Sequence, residues 1–249
     1  MLFPIEIKVN INGQVTDVLS TLGEPDAVSH RRVWFAEDRD GLSDGELRLL
    51  GSGVIIRFRS GSGGDELTAK LRPCVHEQLL GRFNDRFEVE VERLKYRIEG
   101  DWSGDRRVLA ASLVNERPPG TVLDFVGVGD NAAAALHAVA RQFVHTCARP
   151  SVRLDDLEAL GPIACTKWTD LDLDDLEVDI ERWQGGGLDF LELSIQVKPK
   201  DGESAGELED RAMRKQEKFS QLVRQRGIAI ADDITNKTER VLTALAANR

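Results

Sequence analysis

The chain has 249 residues, with 33 Lys or Arg against 43 Asp or Glu, and its formal net charge is −10. This excess of acidic residues disfavours general binding to DNA or to an anionic membrane. No apolar run approaches the ~18 residues of a spanning helix, and the first residues lack the pattern of a secretory signal. The 3 cysteines lie far apart, which excludes a disulfide framework and a cysteine-rich zinc site. We therefore expect a cytoplasmic globular protein.

Short runs of alternating apolar and polar residues come first along the chain, and helical patterns come late. This order is typical of an antiparallel α+β fold. Glycine-rich connections at 61–64 and 184–187 indicate tight hairpins. We interpret 94–107 as an insertion, with a loop at 100–105. The predicted strands are Phe3–Asn10, Arg31–Ala36, Val54–Arg59, Glu66–Arg72, Phe87–Arg93, Val108–Val114, Ile163–Trp168, Glu177–Trp183 and Leu188–Val197.

Three helices are predicted in the second half of the chain. Asp130 is the expected N-cap of the first. Ser204 and Glu207 have the spacing of a capping box at the start of the second. The chain contains no long polar linker, so we expect a single domain, 1–249, with a helical C-terminal part from about 203. The predicted helices are Asn131–Thr146, Ala205–Arg226 and Asn236–Ala247.

Six of the predicted strands carry one apolar face and one charged face, because side chains two residues apart point the same way. The charges are also segregated by strand, since some strands are basic and others acidic. A sheet with one solvated side would explain simple alternation. Doublets and triplets of like charge favour a closed barrel with a charged interior instead. The charged faces contain Glu6 and Lys8; Arg57 and Arg59; Lys70 and Arg72; Glu88, Glu90 and Glu92; Glu177, Asp179 and Glu181; and Glu192.

Such an interior has a definite chemical use. Cationic groups on neighbouring strands can hold a polyphosphate through charge-assisted hydrogen bonds, and an arginine can bind two oxygens at once. Carboxylates facing them can hold Mg²⁺ or Mn²⁺, which prefer oxygen ligands. Such a metal would neutralise phosphate charge and orient an attacking water.

Several segments, taken in order, carry a family resemblance: IEIKV, IIRFR, LTAKLRPC, FEVEVE, ALGPIACTKW, IERWQGGGLDFLELSIQ and the tail LVRQRGIAIADDITNKTERVL. With them the chain resembles the CYTH group of the triphosphate tunnel metalloenzyme superfamily. The resemblance implies an antiparallel β-barrel of about eight strands, tunnel-like and covered by helices, that binds a triphosphate with a divalent metal. Members of this superfamily include class IV adenylyl cyclases and thiamine, inorganic and RNA triphosphatases.

The resemblance also implies roles for individual residues. The ExExK signature of the first strand matches Pro4 to Lys8, with proline in place of the first glutamate. The strand 108–114 lacks the expected basic residue, and Arg117 and Lys167 are the candidate substitutes for it. The implied catalytic residues are Lys8, Arg57 and Arg59. The implied substrate-binding residues are Lys8, Arg57, Arg59, Lys70 and Arg72. The implied ligands for Mg²⁺ or Mn²⁺ are Glu6, Glu90, Glu181 and Glu192.

The leading hypothesis is a protein that binds a triphosphate-bearing small molecule or nucleotide and hydrolyses it as a metal-dependent triphosphatase. Proline in place of a metal-binding glutamate favours an alternative, a non-catalytic nucleotide- or polyphosphate-binding module. A class IV-like adenylyl cyclase is a third candidate. The fourth candidate is a scaffold whose charged sheet faces outward. The direction in which the charged rows point tests this candidate.

Overall fold

A computed structural model describes residues 2–23, 28–127, 129–231 and 236–249. Strands are the commonest regular element in these ranges, and the turns between β3 and β4 and between β9 and β10 are the predicted glycine-rich hairpins. The strands are β1 (Ile5–Asn12), β2 (Val28–Asp38), β3 (Val54–Gly61), β4 (Gly64–Cys74), β5 (Phe87–Val89), β6 (Leu94–Ser103), β7 (Arg106–Arg117), β8 (Leu157–Leu173), β9 (Leu176–Gly185), β10 (Leu188–Val197) and β11 (Ala229–Ile230).

The helices fall between strands and at the C-terminal end. The capping box predicted for α5 is confirmed, because Ser204 accepts from the backbone N–H of Glu207 and the Glu207 carboxylate accepts from that of Ser204. The helices are α1 (Val15–Thr21), α2 (Arg39–Ser43), α3 (Arg48–Gly51), α4 (Ala138–Cys147), α5 (Ala205–Gln225) and α6 (Lys237–Ala247), with 3₁₀ turns at His76–Gln78, Gly81–Asn84, Thr121–Phe125 and Ala132–Ala135. None of the helices in the described ranges is long and apolar enough to cross a membrane.

The strands close into a barrel. The order around it is β1-β10-β9-β8-β2-β3-β4-β7-β6, and a parallel pairing of β1 with β6 completes the circle. All other pairs are antiparallel. Gly100 lies at the closing seam opposite Ile5, where a Cβ atom would come 3.1 Å from Ile5 Cγ1. The α+β barrel is confirmed, with nine strands in the closed ring against the expected eight or so.

Apolar side chains on the outer surface of the barrel pack under two separate layers. On one side α5 and α1 cover β1, β9 and β10, with Phe219 and Val223 of α5 fully buried. On the other side α4 and the 3₁₀ turns cover β3, β4, β6 and β7. These two layers use the apolar faces of the strands, which leaves the charged faces to line the interior.

The structure differs from the prediction at β5 and β6. The strand predicted at Phe87–Arg93 ends at Val89, and residues 90–93 turn the chain into β6. The segment interpreted as an insertion is therefore a barrel strand, and the loop expected at 100–105 shrinks to a turn after Ser103. Gly100, Asp101 and Ser103 are residues typical of turns, but pairing with β1 and β7 overrides this local preference.

The helix predicted over Asn131–Thr146 is divided in two. A 3₁₀ turn covers Ala132–Ala135, and α4 starts only at Ala138, with the His137 ring accepting from the backbone N–H of Val139. Asp130 is not the N-cap that we expected. Asn131 has that place, since its side chain accepts from the N–H of Ala133 and also from that of Leu157, which ties the turn to β8.

Candidate functional site

The charged rows of β1, β3, β4, β9 and β10 face the interior of the barrel. On β1, Ile5, Ile7 and Val9 pack under the outer layer, so Glu6 and Lys8 point the other way. Lys8 and Glu192 are only 8% and 6% exposed although both are charged. Arg59 on β3 lies 3.8 Å from Glu181 on β9, and these strands are not neighbours, so this approach crosses the barrel interior. An outward-facing charged sheet, and with it the scaffold hypothesis, is excluded.

One ionic cluster is built around Asp101 of β6. Its Oδ2 lies 2.7 Å from Lys8 Nζ and 3.2 Å from Arg72 Nη1. Lys8 also lies 2.7 Å from Glu6, and Lys70 lies 3.0 Å from Glu99. This cluster therefore joins strands β1, β4 and β6 across the closing seam.

Burial and charge oppose each other in this cluster. Burial alone would raise the pKa of Asp101, but Lys8 and its basic neighbours outweigh burial and hold that pKa far below its usual range. Burial would likewise lower the pKa of Lys8, yet Glu6 and Asp101 raise it. Both groups are therefore charged at neutral pH, and each depends on its partners to remain so.

A second cluster joins β9 and β10 to α6. Lys237 Nζ lies 2.5 Å from Glu181 and 2.6 Å from Glu192. The indole N–H of Trp183 donates to Glu181 over 3.1 Å, and the lysine ammonium lies 5.0 Å from the centre of that ring system. Burial would lower the pKa of Lys237, but the two carboxylates raise it.

Arg57 is the interior cation with the weakest polar contacts among the described residues. In the described part of the chain it has no ion pair, and its nearest hydrogen-bond acceptor is Thr68 Oγ1 at 3.4 Å. The Nε atoms of Arg57 and Arg59 are buried without an acceptor among the described residues. Burial, together with the neighbouring charge of Arg59, lowers the pKa of Arg57 to about 9. This wall of the tunnel therefore offers positive charge and free donors to an anion.

The two ends of the tunnel differ. At one end α6 packs its Val241, Leu242 and Leu245 against apolar side chains that point into the barrel, among them Trp183 and Phe190. Toward the other end, charged side chains keep part of their surface in solvent: Arg31 31%, Glu66 24%, Lys167 35% and Asp179 34%. The barrel is therefore filled at one end by the apolar side chains of α6, which we call the plug, and lined at the other end by these partly exposed charged side chains, which we call the mouth.

Most of the residues predicted for the site meet in this interior: Glu6, Lys8, Arg57, Arg59, Lys70, Arg72, Glu181 and Glu192. Glu90 does not, because it is exposed in the turn that follows β5. Glu90 was assigned as a metal ligand because the predicted strand contained it, but β5 ends one residue earlier, at Val89. Lys167 lies at the mouth beside Asp179, whereas Arg117 donates to the carbonyl of Ala135 in the outer layer.

Several interior residues were missed from the sequence, among them Glu99, Asp101 and Lys237. The first two lie on β6, whose alternation of Leu94, Tyr96 and Ile98 with polar residues was the available signal. Lys237 resembles an ordinary solvated lysine in a first helical turn. The apolar stripe of α6 was a sign that this helix is docked, but not that it is docked inside a barrel.

The family resemblance implies a divalent metal, so we tested whether the carboxylates fit one. Among residues 2–23, 28–127, 129–231 and 236–249, no group of three or more Asp, Glu, His or Cys side chains is placed to hold a metal ion. Each interior carboxylate predicted as a ligand contacts an ammonium instead: Glu6 contacts Lys8, and Glu181 and Glu192 contact Lys237. The donor set as arranged does not fit a divalent cation.

Comparison with solved structures identifies the fold. The structure of HpAC1 from Hippeastrum matches with a TM-score of 0.59 and 12% identity over 96% of both chains. It is described as a proposed adenylyl cyclase with a dominant triphosphatase activity. A proposed adenylate cyclase from Bacillus halodurans matches with a TM-score of 0.55 and 13% identity, again over 96% of both chains. No protein-family model matches the chain, and a search of curated proteins finds no match. The chain therefore shares the fold of these two structures.

Proposed function

We propose that this protein binds a triphosphate-bearing small molecule inside its barrel. The observation that carries the proposal is the pair Arg57 and Arg59, whose Nε donors are buried without acceptors while Arg57 has no carboxylate partner in the described ranges. A buried cation without a counter-ion is costly, and a phosphate group relieves that cost with charge-assisted hydrogen bonds. Lys70, Arg72 and Lys8 extend the basic wall and offer contacts to further phosphates.

Thermal unfolding with inorganic tripolyphosphate tests the proposal. A ligand present at a hundred times its Kd stabilises the folded state by about 2.7 kcal/mol, which raises Tm by roughly 5–10 °C for a chain of this size. Arg57→Met should lose most of this shift, because it removes the cation that lacks a partner. Arg224→Met is the matched control, since Arg224 is exposed on α5.

Anions with fewer phosphate groups test whether the barrel prefers a triphosphate. Orthophosphate and diphosphate at the same ionic strength should shift Tm less than tripolyphosphate does, because they engage fewer of the interior cations. Equal shifts for all three anions, or an equal shift in Arg57→Met and wild type, would contradict the proposal and indicate a general effect of salt.

Hydrolysis of the bound triphosphate with Mg²⁺ or Mn²⁺ is the second candidate. The fold shared with HpAC1, described as having a dominant triphosphatase activity, favours it. Binding without turnover is favoured by the lysine ammonium groups, because they already contact the interior carboxylates that a metal would need. Phosphate release from tripolyphosphate, ATP and thiamine triphosphate with each metal separates the two. Release above the Arg57→Met background would support hydrolysis, and cAMP formed from ATP would support the cyclase.

A further inference from the structure

Lys237 occupies the place between two carboxylates, Glu181 and Glu192, that the family resemblance assigns to a metal. Its ammonium lies 2.5 Å from Glu181 Oε2 and 2.6 Å from Glu192 Oε1. The exposed fractions of the three side chains are 12%, 13% and 7%. The ammonium is therefore enclosed by its two counter-ions.

The helix fixes the position of this lysine. Lys237 is the first residue of α6, and Val241 and Leu242 of the same helix are 0% and 1% exposed in the apolar plug. The N-cap residue Asn236 is held as well, since its Oδ1 accepts from Arg72 over 2.6 Å. The ammonium could leave the two carboxylates in only two ways. Either the first turn of the docked helix shifts, or the Lys237 side chain adopts another rotamer.

The other interior carboxylates already form ion pairs with basic side chains. Asp101 contacts Lys8 and Arg72, Glu99 contacts Lys70, and Glu66 lies 2.7 Å from Arg31. A divalent ion entering between Glu181 and Glu192 would have to displace Lys237 and leave that ammonium buried without a partner. Breaking a buried pair in this way is strongly unfavourable.

We propose that Lys237 is the resident cation of the Glu181–Glu192 pair, so that the tunnel binds its triphosphate-bearing ligand without a divalent metal. The second part rests on the proposed function. Lys237 removes most of the repulsion that two bare carboxylates would exert on a phosphate chain, which is the electrostatic task of a metal at this place. The built-in cation fits the proline in place of the first glutamate of the ExExK signature, because a site that needs no metal needs fewer carboxylates.

The test measures metal and ligand separately on the full chain after treatment with a chelator. Mn²⁺ binding is followed by the loss of the free-ion EPR signal, and tripolyphosphate binding by calorimetry in EDTA and in Mg²⁺. For the wild type we expect no saturable Mn²⁺ binding, and a tripolyphosphate Kd in EDTA within about threefold of that in Mg²⁺. These measurements on the wild type need no variant that must fold.

Variants then assign the effect to Lys237. Lys237→Met should gain saturable Mn²⁺ binding, which a second change, Glu192→Gln, should remove. Lys237→Arg keeps the positive charge and should exclude Mn²⁺ as the wild type does. Lys198→Met, at an exposed position, is the matched control and should behave as wild type.

The outcomes separate the two proposals. Saturable Mn²⁺ binding by the wild type that Glu181→Gln abolishes would overturn the assignment of Lys237. Tripolyphosphate binding only in the presence of metal would overturn the metal-free inference and leave the proposed function standing. No tripolyphosphate binding in either condition would overturn the proposed function, and the claim about its metal requirement would fall with it.

Discussion

At the scale of single residues, the interior is a set of opposed charges that stabilise one another. Asp101 shows this most clearly, because one carboxylate lies within 4 Å of Lys8, Lys70 and Arg72. Removing a carboxylate from such a cluster leaves buried cations that repel each other, whereas removing an exposed one leaves a cation that water can solvate.

Asp101→Asn is therefore expected to destabilise the fold by about 3–5 kcal/mol, the usual cost of breaking a buried ion pair. Urea unfolding measures the change. Asp175→Asn is the control, since Asp175 pairs with Lys218 at the surface and both are largely exposed. A loss for Asp101→Asn no larger than that of the control would show that the cluster does not support the fold.

The same carboxylate predicts a dependence on pH. The folded-state pKa of Asp101 lies well below the ordinary value, so its contribution to stability is present above about pH 4, near the unfolded pKa. That contribution is lost progressively as the pH falls, because the unfolded chain binds the proton more readily. The difference in unfolding free energy between wild type and Asp101→Asn should therefore shrink below about pH 4. A constant difference from pH 6 to pH 3 would contradict this.

At the scale of elements, α6 and β6 determine the character of the tunnel. Both come from segments whose role the sequence shows only partly. The apolar stripe of α6 predicts a docked amphipathic helix, and the bounds agree within one residue. That it docks into the barrel at the end opposite the charged mouth depends on Trp183, Phe190 and other interior apolar residues, which only the closed sheet brings together.

Leu242→Ala tests the docking of α6. Leu242 is 1% exposed in the plug, so its truncation should cost about 2–5 kcal/mol through lost burial and the cavity left behind. Thr243→Ala, one residue along and exposed, should change the unfolding free energy by less than about 0.5 kcal/mol. Equal, small effects of the two changes in chemical unfolding would mean that α6 is not packed into the barrel.

At the scale of the whole molecule, closure of the sheet makes the site. Opposed rows of charge on an open sheet would be solvated, whereas the parallel seam between β1 and β6 encloses them on the inner face of a closed barrel. Alternation along β1, β3, β4, β9 and β10 predicted which side chains share a face, and the structure confirms those faces. Strand order and the seam could not be predicted from alternation, because it specifies faces and not neighbours.

The seam gives a prediction of its own. Gly100→Val places a branched side chain where even a Cβ would lie 3.1 Å from Ile5 Cγ1, so we expect a loss of about 1–3 kcal/mol from overpacking. Gly63→Val, where a Cβ meets nothing within 4 Å, is the control for the change of residue type. Chemical unfolding that shows the same small effect for both variants would contradict closure at this position.

A crystal structure of the protein with tripolyphosphate, grown once in EDTA and once in Mg²⁺, tests the central claim most directly. We expect phosphate oxygens inside the barrel within about 3 Å of the guanidinium groups of Arg57 and Arg59, with Lys237 still between Glu181 and Glu192 in both crystals. Tripolyphosphate bound only on the outer surface, or an interior without it at saturating concentration, would contradict the account.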